Sequence, residues 1–156
     1  MMCDFELANM NAVRAHFPGI DLRGCLFHFG QNVWRHTEDN GLKGPYKNDE
    51  EIRKQIQYLL GLPFVPVEDI PEVFDSISDE VTSADVAAVY KTVEVTYVHG
   101  IVARGRRRAV PPRYPPKIWC AHEAVLHDQH RTNNMVEGFH NKFQKSAQVQ
   151  LYNFLH

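Results

Sequence analysis

Ile20-Asp21-Leu22-Arg23-Gly24-Cys25-Leu26-Phe27-His28 is the stretch that decides the fold. Its first six residues alternate apolar and polar, the period-two pattern of a short strand with one buried face. From about Phe27 to His36 the apolar spacing becomes helical. A lone short strand is marginal in water, so this one needs sheet partners. Working outward, Met1-Met2-Cys3 is an apolar entry that suits a second strand, and nearly everything else reads as helix. The pattern predicts a predominantly helical α/β domain, part of whose sheet lies before Met1 or comes from a partner.

The remaining elements follow from periodicity and punctuation. Asp4 precedes a helical run with Phe5, Ala8, Ala12 and Ala15 on one side, stopped by Pro18-Gly19. The helix begun at Phe27 closes at Gly41 or at Gly44-Pro45. Asn48 and Glu51 form a capping box for a helix carrying Ile52, Ile56, Leu59 and Leu60. Ile70, Val73, Phe74 and Ile77 mark another, with Pro71 in its first turn, where proline is tolerated. Ser83 caps a helix with Val86, Val89, Tyr90, Val93 and Tyr97 in line. Its β-branched tail from Thr92 to Val98 leaves a strand as the alternative. A short helix spans about Ile118 to Leu126, and a last one carries Met135, Val136, Phe139 and Phe143 as an apolar stripe.

Composition narrows the class. A chain of 156 residues with 44% hydrophobic and 11% aromatic content fits one globular domain. No apolar run approaches a membrane span, and the N-terminus lacks a signal peptide pattern. Three scattered cysteines read as reduced thiols of a cytosolic or nuclear protein, not a disulfide framework. A net charge of −2 excludes a uniformly basic nucleic-acid binder. The charge is uneven, however. Arg104, Arg106, Arg107, Arg108, Arg113 and Lys117 crowd a stretch containing Pro111, Pro112, Pro115 and Pro116. Such a stretch is an exposed, extended basic loop, suited to phosphate or to nuclear-import recognition, or simply solvated.

Four acidic, thiol and imidazole positions stand out. Glu137 lies among Asn133, His140 and Gln144 on the polar face of its helix, where a carboxylate can hold a metal ion. Asn134 three residues before it also makes a capping box. Asp4 follows an apolar entry, at the end of a strand where α/β proteins gather ligand residues, yet it suits an N-cap equally. Cys25-x2-His28 is half of a zinc site. The other pair, Cys120-Ala121-His122, lacks an ordinary zinc spacing, which argues against zinc and for a buried thiol beside a hydrogen-bonded imidazole. No Gly-rich phosphate loop and no Ser/His/Asp signature is present.

Taken in order, Asp4-Phe5-Glu6 with Ala8 and Ala12, Gly24 to Gln31, Leu62-Pro63-Phe64-Val65-Pro66, the Arg/Pro loop with Trp119, and Thr132-Asn133-Asn134-x-x-Glu137-Gly138-Phe139-His140-Asn141 resemble Mutator-like (MULE) DDE transposases. The resemblance covers nearly the whole chain and rests on order and spacing. It implies a ribonuclease H-like fold with a helical insertion, here over 48–119, and a DDE triad binding two divalent ions, Mg2+ or Mn2+. By resemblance Asp4 is the second Asp, Glu137 the final Glu, and Cys25 and His28 the C-x2-H motif between them. Arg104, Arg106, Arg107, Arg108, Arg113, Asn133, Asn134 and His140 are the expected DNA contacts. Transposon-end DNA is the expected partner, together with an N-terminal portion or a second copy, in the nucleus or otherwise the cytoplasm.

The triad's first Asp and the early strands have no counterpart in these residues. Two-metal phosphoryl transfer needs carboxylates clamping ions about 3.5–4 Å apart. The chain alone is therefore expected to be inactive. A non-enzymatic DNA- or protein-binding module using the arginine loop is the alternative, and a small zinc-stabilised domain is a third reading.

Overall fold

The computed structural model describes residues 2–103, 105 and 108–127. It is predominantly helical, with one two-stranded parallel sheet. Strand β1 (Met2–Cys3) leads through helix α1 (Leu7–His16) to β2 (Arg23–Gly24), with Met2 opposite Arg23 and Cys3 opposite Gly24. The alternating stretch therefore forms a strand, but over two residues instead of six. Cys25 N–H still bonds the Cys3 carbonyl at 2.9 Å, closing the ladder. A Cβ at Gly24 would stand 2.5 Å from the tip of the Phe5 ring, so a larger residue there must displace that ring.

Helix α2 (Leu26–Asp39) follows at once and buries Leu26, Phe29, Val33 and Thr37. Gly41, at φ +73°, turns the chain into α3 (Lys43–Asn48). Gly44 and Pro45 do not close α2, as their composition suggests. They lie in the first turn of this additional helix, where proline loses no intrahelical bond. Helix α4 (Glu50–Gly61) is capped by Asp49, whose Oδ1 accepts from Glu51 N–H at 2.9 Å and Ile52 N–H at 3.2 Å. The expected Asn48–Glu51 capping box is off by one residue. Asn48 still belongs to α3, and the extended backbone that a cap needs falls on Asp49.

A 3₁₀ turn over Leu62–Phe64 leads to α5 (Ile70–Asp79) and α6 (Ala84–Val93). Both bury the expected stripes: Ile70, Val73, Phe74 and Ile77, then Val86, Val89, Tyr90 and Val93. Ser83 holds the cap position of α6 without a side-chain bond. The β-branched tail stays helical, as a π-helical turn over Glu94–Val98 in which His99 N–H reaches the Glu94 carbonyl. The expected single helix near the end is two short ones, α7 (Pro116–Trp119) and α8 (His122–Leu126), parted by Cys120 and Ala121.

Helix α1 corrects the sequence pattern most clearly. Ala8, Ala12 and Ala15 are exposed, and the inward side carries Met10, fully buried, and Val13. Alanines contribute little on burial, so the larger Met10 sets the helix's rotation. One core joins α2, α4, α5 and α6 to Tyr114, Ile118 and Trp119. Its aromatic centre packs Phe29 flat on Trp119, with ring centroids 4.8 Å apart, and sets Tyr97 edge-on to Phe29, Phe5 and Trp119. Among the described residues no helix is long and apolar enough to cross a membrane.

Candidate functional site

Parallel strands set Cys3-Asp4 and Cys25 side by side at their C-terminal ends, where α/β folds place ligand-binding groups. Asp4 is not the cap of α1. That position belongs to Glu6, and no side chain bonds the first amides. The Asp4 carboxylate is instead left 64% exposed, with Oδ1 2.8 Å from Nδ1 of His28 in the first turn of α2. The pair is a close polar contact and not an aligned hydrogen bond, since Nδ1 is buried without a properly directed partner. Thus two of the residues singled out in the sequence, 24 positions apart, meet at one edge.

The thiols there behave differently. Cys3 donates to the Arg23 carbonyl at 3.6 Å, and burial first, then the Asp4 charge, push its pKa up. A protonated thiol is a poor metal ligand. Cys25 stands at the cap position of α2 and makes no side-chain bond to the first amides. Among the described residues no three His, Cys, Asp or Glu side chains converge as a metal cage. Asp4 supplies the kind of oxygen donor Mg2+ takes, whereas sulfur and imidazole suit softer ions. Glu137, the expected second carboxylate, lies outside the described residues, as do Asn133, Asn134 and His140.

The second Cys-x-His pair has a structural task. Cys120 Sγ donates to the Val65 carbonyl at 3.4 Å, and His122 Nδ1 lies 2.9 Å from the Phe64 carbonyl. A carbonyl only accepts, so Nδ1 carries the proton. With Ala121 N–H on the Pro63 carbonyl, these bonds fasten the chain after Trp119 to the Leu62–Val65 turn. Burial raises the Cys120 pKa, as befits a thiol used as a donor.

The basic stretch is a loop with a fixed base. Ile101 and Val110 form an antiparallel bridge, exchanging bonds of 2.8 and 2.9 Å. Gly100, at φ +78°, lets the Val110–Pro112 backbone pass where a Cβ would stand 2.2 Å from the Val110 carbonyl oxygen. Arg108 and Arg113 are exposed, whereas Arg104, Arg106 and Arg107 lie outside the described residues. Tyr114, next to Arg113, is buried and donates its hydroxyl to the Phe5 carbonyl at 2.7 Å. That one bond ties the base of the arginine loop to the residue after Asp4. Tyr114 belongs to no motif in the sequence, although an aromatic among prolines in a charged loop is a signal of anchoring.

No protein-family model, curated protein or solved structure matches the chain.

Proposed function

We propose that this chain is the C-terminal part of a MULE-type DDE transposase catalytic domain, a partial ribonuclease H-like fold with its helical insertion over 48–119. The observation that carries the reading is Asp4. It directly follows a parallel strand, is spared from capping duty, and stands against His28 of the C-x2-H motif. Asp4 and Glu137 would hold Mg2+ or Mn2+, which neutralises phosphate charge and activates a water or 3′-hydroxyl for strand cleavage and transfer. The arginine loop would carry transposon-end DNA past Asp4, with Asn133, Asn134 and His140 as further contacts. Two carboxylates place metal poorly, so activity requires a third from outside these residues.

The test is a metal-dependent cleavage assay on terminal-repeat DNA, with the chain alone and with the N-terminal portion of a complete MULE transposase supplied. We expect no cleavage alone and cleavage after complementation, abolished by Asp4→Asn or Glu137→Gln. Cleavage by the chain alone with Mg2+, lost in Glu137→Gln, would overturn the incomplete-triad reading. Complemented activity indifferent to Asp4→Asn would overturn the site itself.

A second reading is a host-adopted, non-enzymatic DNA- or protein-binding module. The anchored loop with exposed Arg108 and Arg113 favours it. Salt-dependent DNA binding without any metal-dependent cleavage after complementation would select it over the first.

A further inference from the structure

We infer that Arg35 on α2 and Arg113 at the foot of the basic loop form one phosphate-backbone contact surface for DNA, with Arg35 aimed by an Asn32–Tyr97 relay. Arg35 belongs to no motif in the sequence, and the inference rests on the DNA-binding reading above. The geometry begins in the core. The Tyr97 ring is 3% exposed and is held among Phe5, Phe29, Tyr114 and Trp119. Its hydroxyl accepts from Asn32 Nδ2 at 3.0 Å. That bond fixes the amide, so Asn32 Oδ1 faces outward and accepts from Arg35 Nη2 at 3.1 Å. A guanidinium normally samples many rotamers; this one is pre-set by a rigid chain ending in the core, which lowers the ordering cost of binding.

Arg113 arrives at the same place from the loop. Its neighbour Tyr114 packs on Tyr97 with ring centroids 5.6 Å apart and bonds the Thr96 carbonyl through its N–H. Both arginine side chains thus depart from the surroundings of one buried ring, Arg35 through Asn32 and Arg113 through its neighbour Tyr114. Burial raises the Tyr97 pKa, and both arginine charges oppose that rise. Both side chains are exposed, and among the described residues neither is in an ion pair. Two exposed cations that make no ion pair among the described residues fit a polyanion whose charges repeat along a backbone. DNA is the partner because the surface continues from the base of the arginine loop.

The full chain is titrated into a labelled mixed-sequence DNA duplex by fluorescence anisotropy between about 50 and 200 mM salt. Arg35→Ala and Arg113→Ala are each expected to make the slope of log K against log salt shallower by about 0.9, whereas Arg35→Lys keeps it. Asn32→Ala retains the charge, so it should weaken binding at every salt with the slope unchanged, and should add nothing in the Arg35→Ala background. Thermal melts of each variant confirm folding. Wild-type binding with slopes unmoved by either arginine overturns this inference alone. No duplex binding at the lowest salt overturns the DNA-binding reading with it. Tighter binding to an acidic peptide or an RNA duplex of equal charge overturns the assignment to DNA.

Discussion

At the scale of single residues, Asp4 and Gly100 show how tertiary context selects between roles that a sequence leaves open. Asp4 has the chemistry of a cap and of a metal ligand. Only the course of the chain, which starts α1 two residues late, frees its carboxylate to meet His28. Gly100 is one glycine among nine in the sequence, but its positive φ and the Val110 carbonyl leave no room for a Cβ. Gly100→Ala should therefore cost at least about 2 kcal/mol, from left-handed backbone strain plus displacement of the bridge. Gly44→Ala is the matched control: it sits in a helix with nothing within 4 Å and should stabilise by about 0.5–1 kcal/mol. Urea denaturation of the two variants checks both signs; equal effects would remove the claim that the loop base demands glycine.

Among the elements, the well-read helices are those whose apolar stripes are long and bulky. The stripe of α5 buries four large side chains, each contributing about 1.5–3 kcal/mol, which outweighs any local preference. Helix ends are governed by smaller effects, and there the structure departs from the local pattern. A cap contributes about 1 kcal/mol, little enough for a one-residue shift in backbone conformation to reassign it. Asp49→Ala should accordingly destabilise the protein by about 1 kcal/mol, whereas Asn48→Ala should stay within about 0.5 kcal/mol. Thermal unfolding of the pair decides it, and the reverse order would restore the Asn48 cap. The alanines of α1 teach the same lesson from the other side. A stripe of small side chains has too little surface to orient a helix, and a single methionine overrules it.

For the molecule as a whole, Tyr97 is the joint between the strand pair, the helices and the loop. Burial raises its pKa from 10.0 to about 12, and burial pushes Tyr90 up still further. A phenol whose folded pKa is raised stabilises the fold fully below its unfolded pKa near 10. That contribution is lost as pH climbs through the folded value near 12. The Tyr97 contribution should hold to about pH 10 and then fall by about 3 kcal/mol. Tyr97→Phe, compared with wild type over that window, should show a shallower fall. Parallel curves would mean that the buried phenol is not coupled to folding.

The sequence by itself determined the class: a mostly helical α/β chain, a strand-to-helix step between Cys25 and about Phe27, which the structure places a residue earlier, and the bulky stripes of α4, α5 and α6. Those follow from periodicity, which is a property of the chain alone. It also named Asp4, Cys25 and His28 as chemistry-bearing residues, and the basic loop as exposed. What only the tertiary structure decided is who meets whom. The Asp4–His28 contact, the Tyr114 bond that draws the arginine loop toward the strand ends, and the Asn32–Arg35 relay join residues 24, 109 and 65 positions apart or build on such pairs. Contacts at that separation depend on how whole elements pack. Local spacing carries no record of that packing.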